Sequence, residues 1–166
     1  EGVRAHTMSS ATLTDIRIND YSSNETIWNA AVAGTFGVPV IMVSGDDATA
    51  AEAKARLGDI ETAVVKWAHS FHSATTLTPK AGQAAIRQTA ERAVRRLLAG
   101  EIDPYLVQTP VAITVRFKNY QPSQILAYLQ MFERIDAHAV RYNAADMEEA
   151  ARTLVFLRNY RADITP

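Results

Sequence analysis

The chain has 166 residues, 48% of them hydrophobic and 21% charged, with a net charge of −1. That length suits one globular domain with a substantial core, and the near-neutral balance leaves no basic footprint for nucleic acid. No apolar run approaches the roughly 20 residues that cross a bilayer, and with no cysteine there are no disulfides, thiolate nucleophiles or Cys-based zinc sites.

Any transition-metal site must therefore use Asp, Glu and the four histidines His6, His69, His72 and His138. The lack of cysteine fits a cytoplasmic protein. Glu1-Gly2-Val3 is not an initiator sequence, and strand patterning begins by Thr12. The chain is thus expected to start inside structure, after a cleavage, a truncation or a separate upstream chain.

Thr12 to Ile18 alternates Leu13, Ile16 and Ile18 imperfectly with polar residues, which predicts a strand. Asn19 to Asn24 is rich in turn formers. Glu25 to Gly34 predicts a helix capped by Ser23 or Asn24, with Glu25 in its first turn and Gly34 at its stop. Val38 to Val43 is apolar on both faces, as in a central parallel strand. After Ser44-Gly45-Asp46-Asp47 comes an alanine-rich helix, Ala48 to Leu57, and then a strand over Thr62 to Trp67.

Thr78-Pro79 opens a long helix to about Leu98 that stops near Gly100. Val111 to Phe117 alternates strictly and predicts a half-buried strand. Pro122 to Leu129 reads as a short helix, Ala137 to Tyr142 as a strand, and Ala144 to about Tyr160 as an amphipathic helix. There is no internal repeat. The expected class is α/β, with a mixed or mostly parallel sheet flanked by helices and a small α+β C-terminal lobe. The expected division is 1–108 for the core and 109–166 for the lobe.

Several side chains could carry chemistry. A neutral imidazole such as His6 can bind metal, accept a proton or attack a carbonyl, although spacing alone makes His6 a surface or capping residue. Glu25 at a helix start could reach a crevice, yet the helix dipole explains a glutamate there by itself. Asp46 and Asp47 follow a buried strand, where open α/β sheets place ligands, but Asp before Ala-Thr-Ala-Ala is also a plain helix N-cap, the reading the sequence favours. His69 and His72 lack an HExxH frame and read as a hydrogen-bonded or exposed pair, while His138 reads as packed. Arg92, Arg95 and Arg96 read as a solvated face or a subunit contact. No P-loop and no GxSxG elbow is present.

Taken together, the segments resemble the D-aminopeptidase family, the zinc-dependent DppA-type peptidases. Gly2-Val3-Arg4-Ala5-His6-Thr7-Met8 resembles a GVxxHSM-like stretch. Ile18-Asn19-Asp20, Glu25 and Asn29 to Gly34 resemble an IND…GE…NAYVAG stretch. Gly37 to Asp47 is close to a VPVLMVAGDD strand and loop, the most specific part. Ala63 to Lys66, Leu77 to Gly82, Phe117 to Tyr120 and Ala145 to Ala150 extend the likeness over nearly the whole chain. One departure is Asn24, where the family tends to have glycine.

The resemblance implies a zinc aminopeptidase that releases N-terminal D-amino acids such as D-Ala from short peptides, present here as its C-terminal portion. Glu25 is the implied zinc ligand, and His6 the implied catalytic residue, as nucleophile or as general base. Asn19, Asp46 and Asp47 are implied to shape or support the crevice. A complete site is implied to hold two zinc ions, its other ligands lying outside this chain: an upstream Asp-x-Glu pair and two histidines. The partners implied are a short peptide substrate, a missing N-terminal segment or chain, and further copies forming a homo-oligomeric ring, with no nucleic acid and no membrane. The alternative is a catalytically silent assembly domain that keeps the fold.

Overall fold

The computed structural model describes residues 2–159. In chain order the elements are β1 (Leu13–Ile18), β2 (Tyr21–Ser22), α1 (Glu25–Thr35), β3 (Met42–Asp46), α2 (Asp47–Leu57), β4 (Glu61–Ser70) and β5 (Ser73–Thr76). There follow α3 (Pro79–Leu98), β6 (Val111–Phe117), α4 (Gln121–Leu126), β7 (Glu133–Arg134), β8 (Ala139–Ala144) and α5 (Met147–Asn159). They gather into two units, one of residues 2–5 and 36–105, the other of 6–35 and 106–159. No helix of the described residues is long and apolar enough to cross a membrane.

The second of these units is an antiparallel sheet in the order β2-β1-β6-β8-β7. Strict alternation in β6 buries Val111, Ile113, Val115 and Phe117. β1 sets Ile16 opposite Val115 and Ile18 opposite Ile113, and β8 sets Val140 and Tyr142 opposite the same two residues. Each fully buried Val or Ile side chain among these contributes about 1.5–3 kcal/mol relative to exposure. The β1–β2 connection is a two-residue hairpin turn with Asn19 at φ 47° and Asp20 at φ 68°, the positive pair that a type I′ turn requires.

Helix α1 begins where Asn24 Oδ1 accepts the Ile27 N–H at 3.0 Å, satisfying one of the amides left open at a helix start. It buries Ile27, Trp28, Ala30, Ala31 and Gly34 and packs against α5, which buries Met147, Ala150, Leu154 and Leu157. The expected stop at Gly34 is corrected: Gly34 is a buried helical residue, and the left-handed glycine beyond the helix is Gly37, φ 71°. The Tyr160 end of the expected last helix lies outside the described residues.

The other unit has a three-stranded sheet, β3-β4-β5. β3 and β4 are parallel, joined through α2, and β4 turns back antiparallel into β5. Its buried centre is Ala53, Ile60 and Ile102, with Ile41, Val43 and Leu57 against it. The fold is therefore α/β with mixed strand directions.

Two expectations change in this unit. The apolar run Val38–Val43 is not a central strand. Strand geometry starts at Met42, opposite Glu61 at the start of β4, β3 lies at the sheet edge, and Val38 is 54% exposed. Pro39 has no amide to give a ladder, so the run enters the strand late. The arginines of α3 are not simply solvated: Arg92 and Arg96 both bond Glu61, and Arg96 also reaches Asp59 and Glu101. The long helix itself forms as its sequence dictates, with Thr78 Oγ1 accepting the Ala81 N–H and Pro79 in the first turn. β1 takes β6 as its ladder partner, which groups 6–35 with 106–159.

Candidate functional site

Asp46 ends β3 and caps α2. Its Oδ1 accepts the Thr49 N–H at 2.8 Å and its Oδ2 the Val3 N–H at 2.8 Å. The residue is only 5% exposed. Burial pushes its pKa up, but the bonds from Thr49 and Val3 and the charge of Lys66 outweigh that, holding the carboxyl below the usual aspartate range. Both oxygens are thus engaged with backbone amides, and the N-cap reading of Asp46 is the one the geometry supports. The exposed Asp47 accepts the Ala68 N–H at 3.1 Å, closing an amide near the end of β4.

The stretch before His6 is tied down residue by residue. Val3 bonds Asp46. The Arg4 N–H donates to the Phe71 carbonyl at 2.8 Å, and its guanidinium lies 5.6 Å from the centre of the Phe71 ring, a cation–π separation. Arg4 Nη1 is 3.1 Å from His72 Nδ1. Because arginine only donates, Nδ1 is the acceptor and the imidazole carries its proton on Nε2. Phe71 and His72 meet edge to face at 4.8 Å.

His69 and His72 have separate partners. His69 Nε2 bonds Thr75 Oγ1 at 2.7 Å, so each imidazole is hydrogen-bonded, as the lack of a zinc frame around the two led us to expect. His138, half-buried, sets Nδ1 against the Phe117 carbonyl at 3.2 Å.

His6, Asn19 and Glu25 belong to the second unit. His6 is exposed, between a turn at Val3–Arg4 and a bend at Thr7–Met8, and Glu25 is exposed as the first residue of α1, where the helix dipole favours its charge. Asn19 is a structural anchor: its amide donates to the Gln108 carbonyl at 2.9 Å and its Oδ1 accepts the Ala112 N–H at 2.8 Å. Arg4 has φ 55° and Met8 φ 58°, left-handed conformations that cost a non-glycine residue about 1–2 kcal/mol each.

Among the described residues no three His, Asp or Glu side chains come together where a metal could sit. Zinc takes about four ligands, three or more of them protein side chains, so the described residues do not by themselves fit a zinc site. Sequence reasoning missed Arg4, Phe71 and His72 as neighbours, because only the folded β4–β5 hairpin brings residues 71 and 72 to residue 4.

Residues 1–156 match the peptidase M55 family, described as D-aminopeptidase, and the chain belongs to that family. It is 30% identical over 158 residues to the D-aminopeptidase of Bacillus subtilis (strain 168), a span covering 94% of this chain and 56% of that protein. Its fold matches the solved structure of the Zn-dependent D-aminopeptidase DppA from Bacillus subtilis, a self-compartmentalizing protease, with a TM-score of 0.88 at 26% identity. That likeness covers 98% of this chain and 60% of the other. The chain thus spans somewhat over half the length of the relatives it matches.

Proposed function

We propose that this chain is part of a zinc-dependent aminopeptidase that releases N-terminal D-amino acids, D-Ala among them, from short peptides. The observation that carries the reading is a family match running through residues 1–156, which includes both His6 and Glu25. Both side chains are exposed and belong to one unit. In this reading the His6 imidazole attacks the scissile carbonyl carbon, the C–N bond breaks as the amine leaves with a proton from solvent, and water hydrolyses the acyl-imidazole; or His6 takes the proton of an attacking water and passes it to the departing amine. Glu25 offers one carboxylate to zinc, and the remaining donors come from outside these residues, since one carboxylate is too few. Assembly into a homo-oligomeric ring and a cytoplasmic location complete the proposal. Assembly draws on the self-compartmentalizing relative, and location on the cysteine-free composition.

The test uses the intact gene product, loaded with zinc and given D-Ala-D-Ala beside L-Ala-L-Ala. Release of D-Ala is expected to fall about 10²–10⁴-fold in His6→Ala, with zinc content by elemental analysis unchanged. Glu25→Gln is expected to lower that zinc content. Wild-type hydrolysis by His6→Ala would remove His6 from the reaction. A folded, zinc-free and inactive wild-type protein would establish the silent assembly domain instead.

A further inference from the structure

Helix α3 buries Thr89 and Ala93 and packs on β4. Beside that buried strip runs a second apolar one. Ile86, Val94 and Leu97 are exposed, with the half-buried Ala90 between them. Steps of four, four and three residues put all of them on one helix face, so they form a continuous stripe. Leu98, 82% exposed, extends it at the C-terminal end. A helix ordinarily turns such side chains toward a packed face, and an open apolar surface marks a place of association.

The stripe reads the same from either end. Ile86 and Val94 each lie four residues from Ala90, and Gln83 and Leu97 each lie seven. A second copy of the helix, laid antiparallel about a two-fold axis at Ala90, therefore sets Ile86 of each copy on Val94 of the other, and Gln83 on Leu97. The small side chain of Ala90 lets the two helices approach closely where they cross. Charge follows the same symmetry. Arg87 and Glu91, both exposed, flank the stripe on one side. Neither has an ion pair among the described residues, unlike Arg92 and Arg96, which bond Glu61. A two-fold antiparallel pair turns this flank toward itself, with Arg87 of one copy about 3 Å along the axis from Glu91 of the other. Both side chains are long enough to close that offset.

We infer that α3 is the surface by which two copies of this chain pair, antiparallel and two-fold about Ala90. In such a contact the same patch serves both copies, each residue meeting a partner that meets it in return. A stripe symmetric in shape, with a flank self-complementary in charge, supplies that match, and an unrelated partner has no cause to share it. The contact gives the proposed assembly of copies a surface and rests on that proposal; neither His6 nor Glu25 enters it.

Sedimentation velocity of the intact gene product tests the pairing, with wild type beside Val94→Glu, Arg87→Glu and the double variant Arg87→Glu/Glu91→Arg. Val94→Glu puts a charge into the stripe on both sides of the axis and is expected to halve the sedimenting mass. Arg87→Glu sets like charges against each other across the pair, so the concentration for half-association is expected to rise about five- to tenfold. The double reversal makes those charges opposite again and is expected to recover wild-type association. All three positions are exposed, so melting temperatures are expected to stay at the wild-type value; should Val94→Glu fail to fold, the charge variants decide. Wild-type association in both Val94→Glu and Arg87→Glu would overturn this inference and leave assembly to another surface. Loss in Arg87→Glu without recovery in the double variant would overturn the two-fold pairing. A monomeric wild type would overturn the proposed assembly itself, while hydrolysis of D-Ala-D-Ala judges the peptidase reading separately.

Discussion

A Cβ added to Gly2 would lie 2.5 Å from Oδ2 of Asp46, the same oxygen that accepts the Val3 N–H. The carboxylate cannot retreat without surrendering a bond to Val3 or to Thr49. Gly2→Ala is therefore expected to destabilise the protein by about 1–3 kcal/mol. Urea denaturation measures this, and an unchanged midpoint would mean that the chain start moves aside.

Asp46 also sets a pH dependence. Its folded pKa lies below the unfolded value of about 3.9, so the unfolded chain takes up the proton first. The stability it contributes is present above that unfolded value and is lost as pH falls through the lower, folded one. Denaturation midpoints followed from pH 6 downward are expected to drop less in Asp46→Asn than in wild type. Asp136, held low chiefly by its hydrogen bond from Arg116, keeps part of the acid limb in the variant.

Tyr142 is 2% exposed, and its hydroxyl donates to the Ala150 carbonyl at 2.8 Å. Burial pushes its pKa far above the ordinary tyrosine range, with a smaller push from Glu149. A folded pKa above the unfolded one gives stability that is complete below the unfolded value, about 10, and is lost as pH rises beyond it. Tyr142→Phe is expected to cost about 0.5–1.5 kcal/mol at pH 7. The gap to wild type is expected to narrow above pH 10, as melting curves at the two pH values would register.

Arg96 joins three carboxylates, Asp59, Glu61 and Glu101, to the last turn of α3. Its removal leaves those charges near one another, so Arg96→Ala is expected to lower the melting temperature. Ionic screening weakens such exposed networks, and the loss is expected to shrink in 1 M salt. A salt-independent loss would assign the effect to packing of the arginine stem.

Local patterns were the most legible part of the fold. Val111–Phe117 alternates without a break, and its burial follows that alternation residue by residue. Thr78-Pro79 marks the start of α3, where cap and proline act within one turn. Ser73–Thr76 offers no apolar signal, and it forms a strand because β4 turns back on itself. The apolar Val38–Ile41 suggested a strand, but composition carries no information about where a neighbouring ladder begins. In the site, the capping bond of Asp46 was legible from the helix that follows it. Its bond to Val3, 43 positions away, was not, and neither was the meeting of Arg4 with His72. Those contacts are made by tertiary structure alone.

The pairing of β1 with β6 places a constraint on biosynthesis. Residues 13–18 leave the ribosome well before their main ladder partner, 111–117, which is translated after the whole of 36–105, the bulk of the other unit. Closing so long a loop is slow, and the nascent strand meanwhile carries Leu13, Ile16 and Ile18 without cover. The edge of β1 that β6 covers is therefore completed only once residues 111–117 have been made.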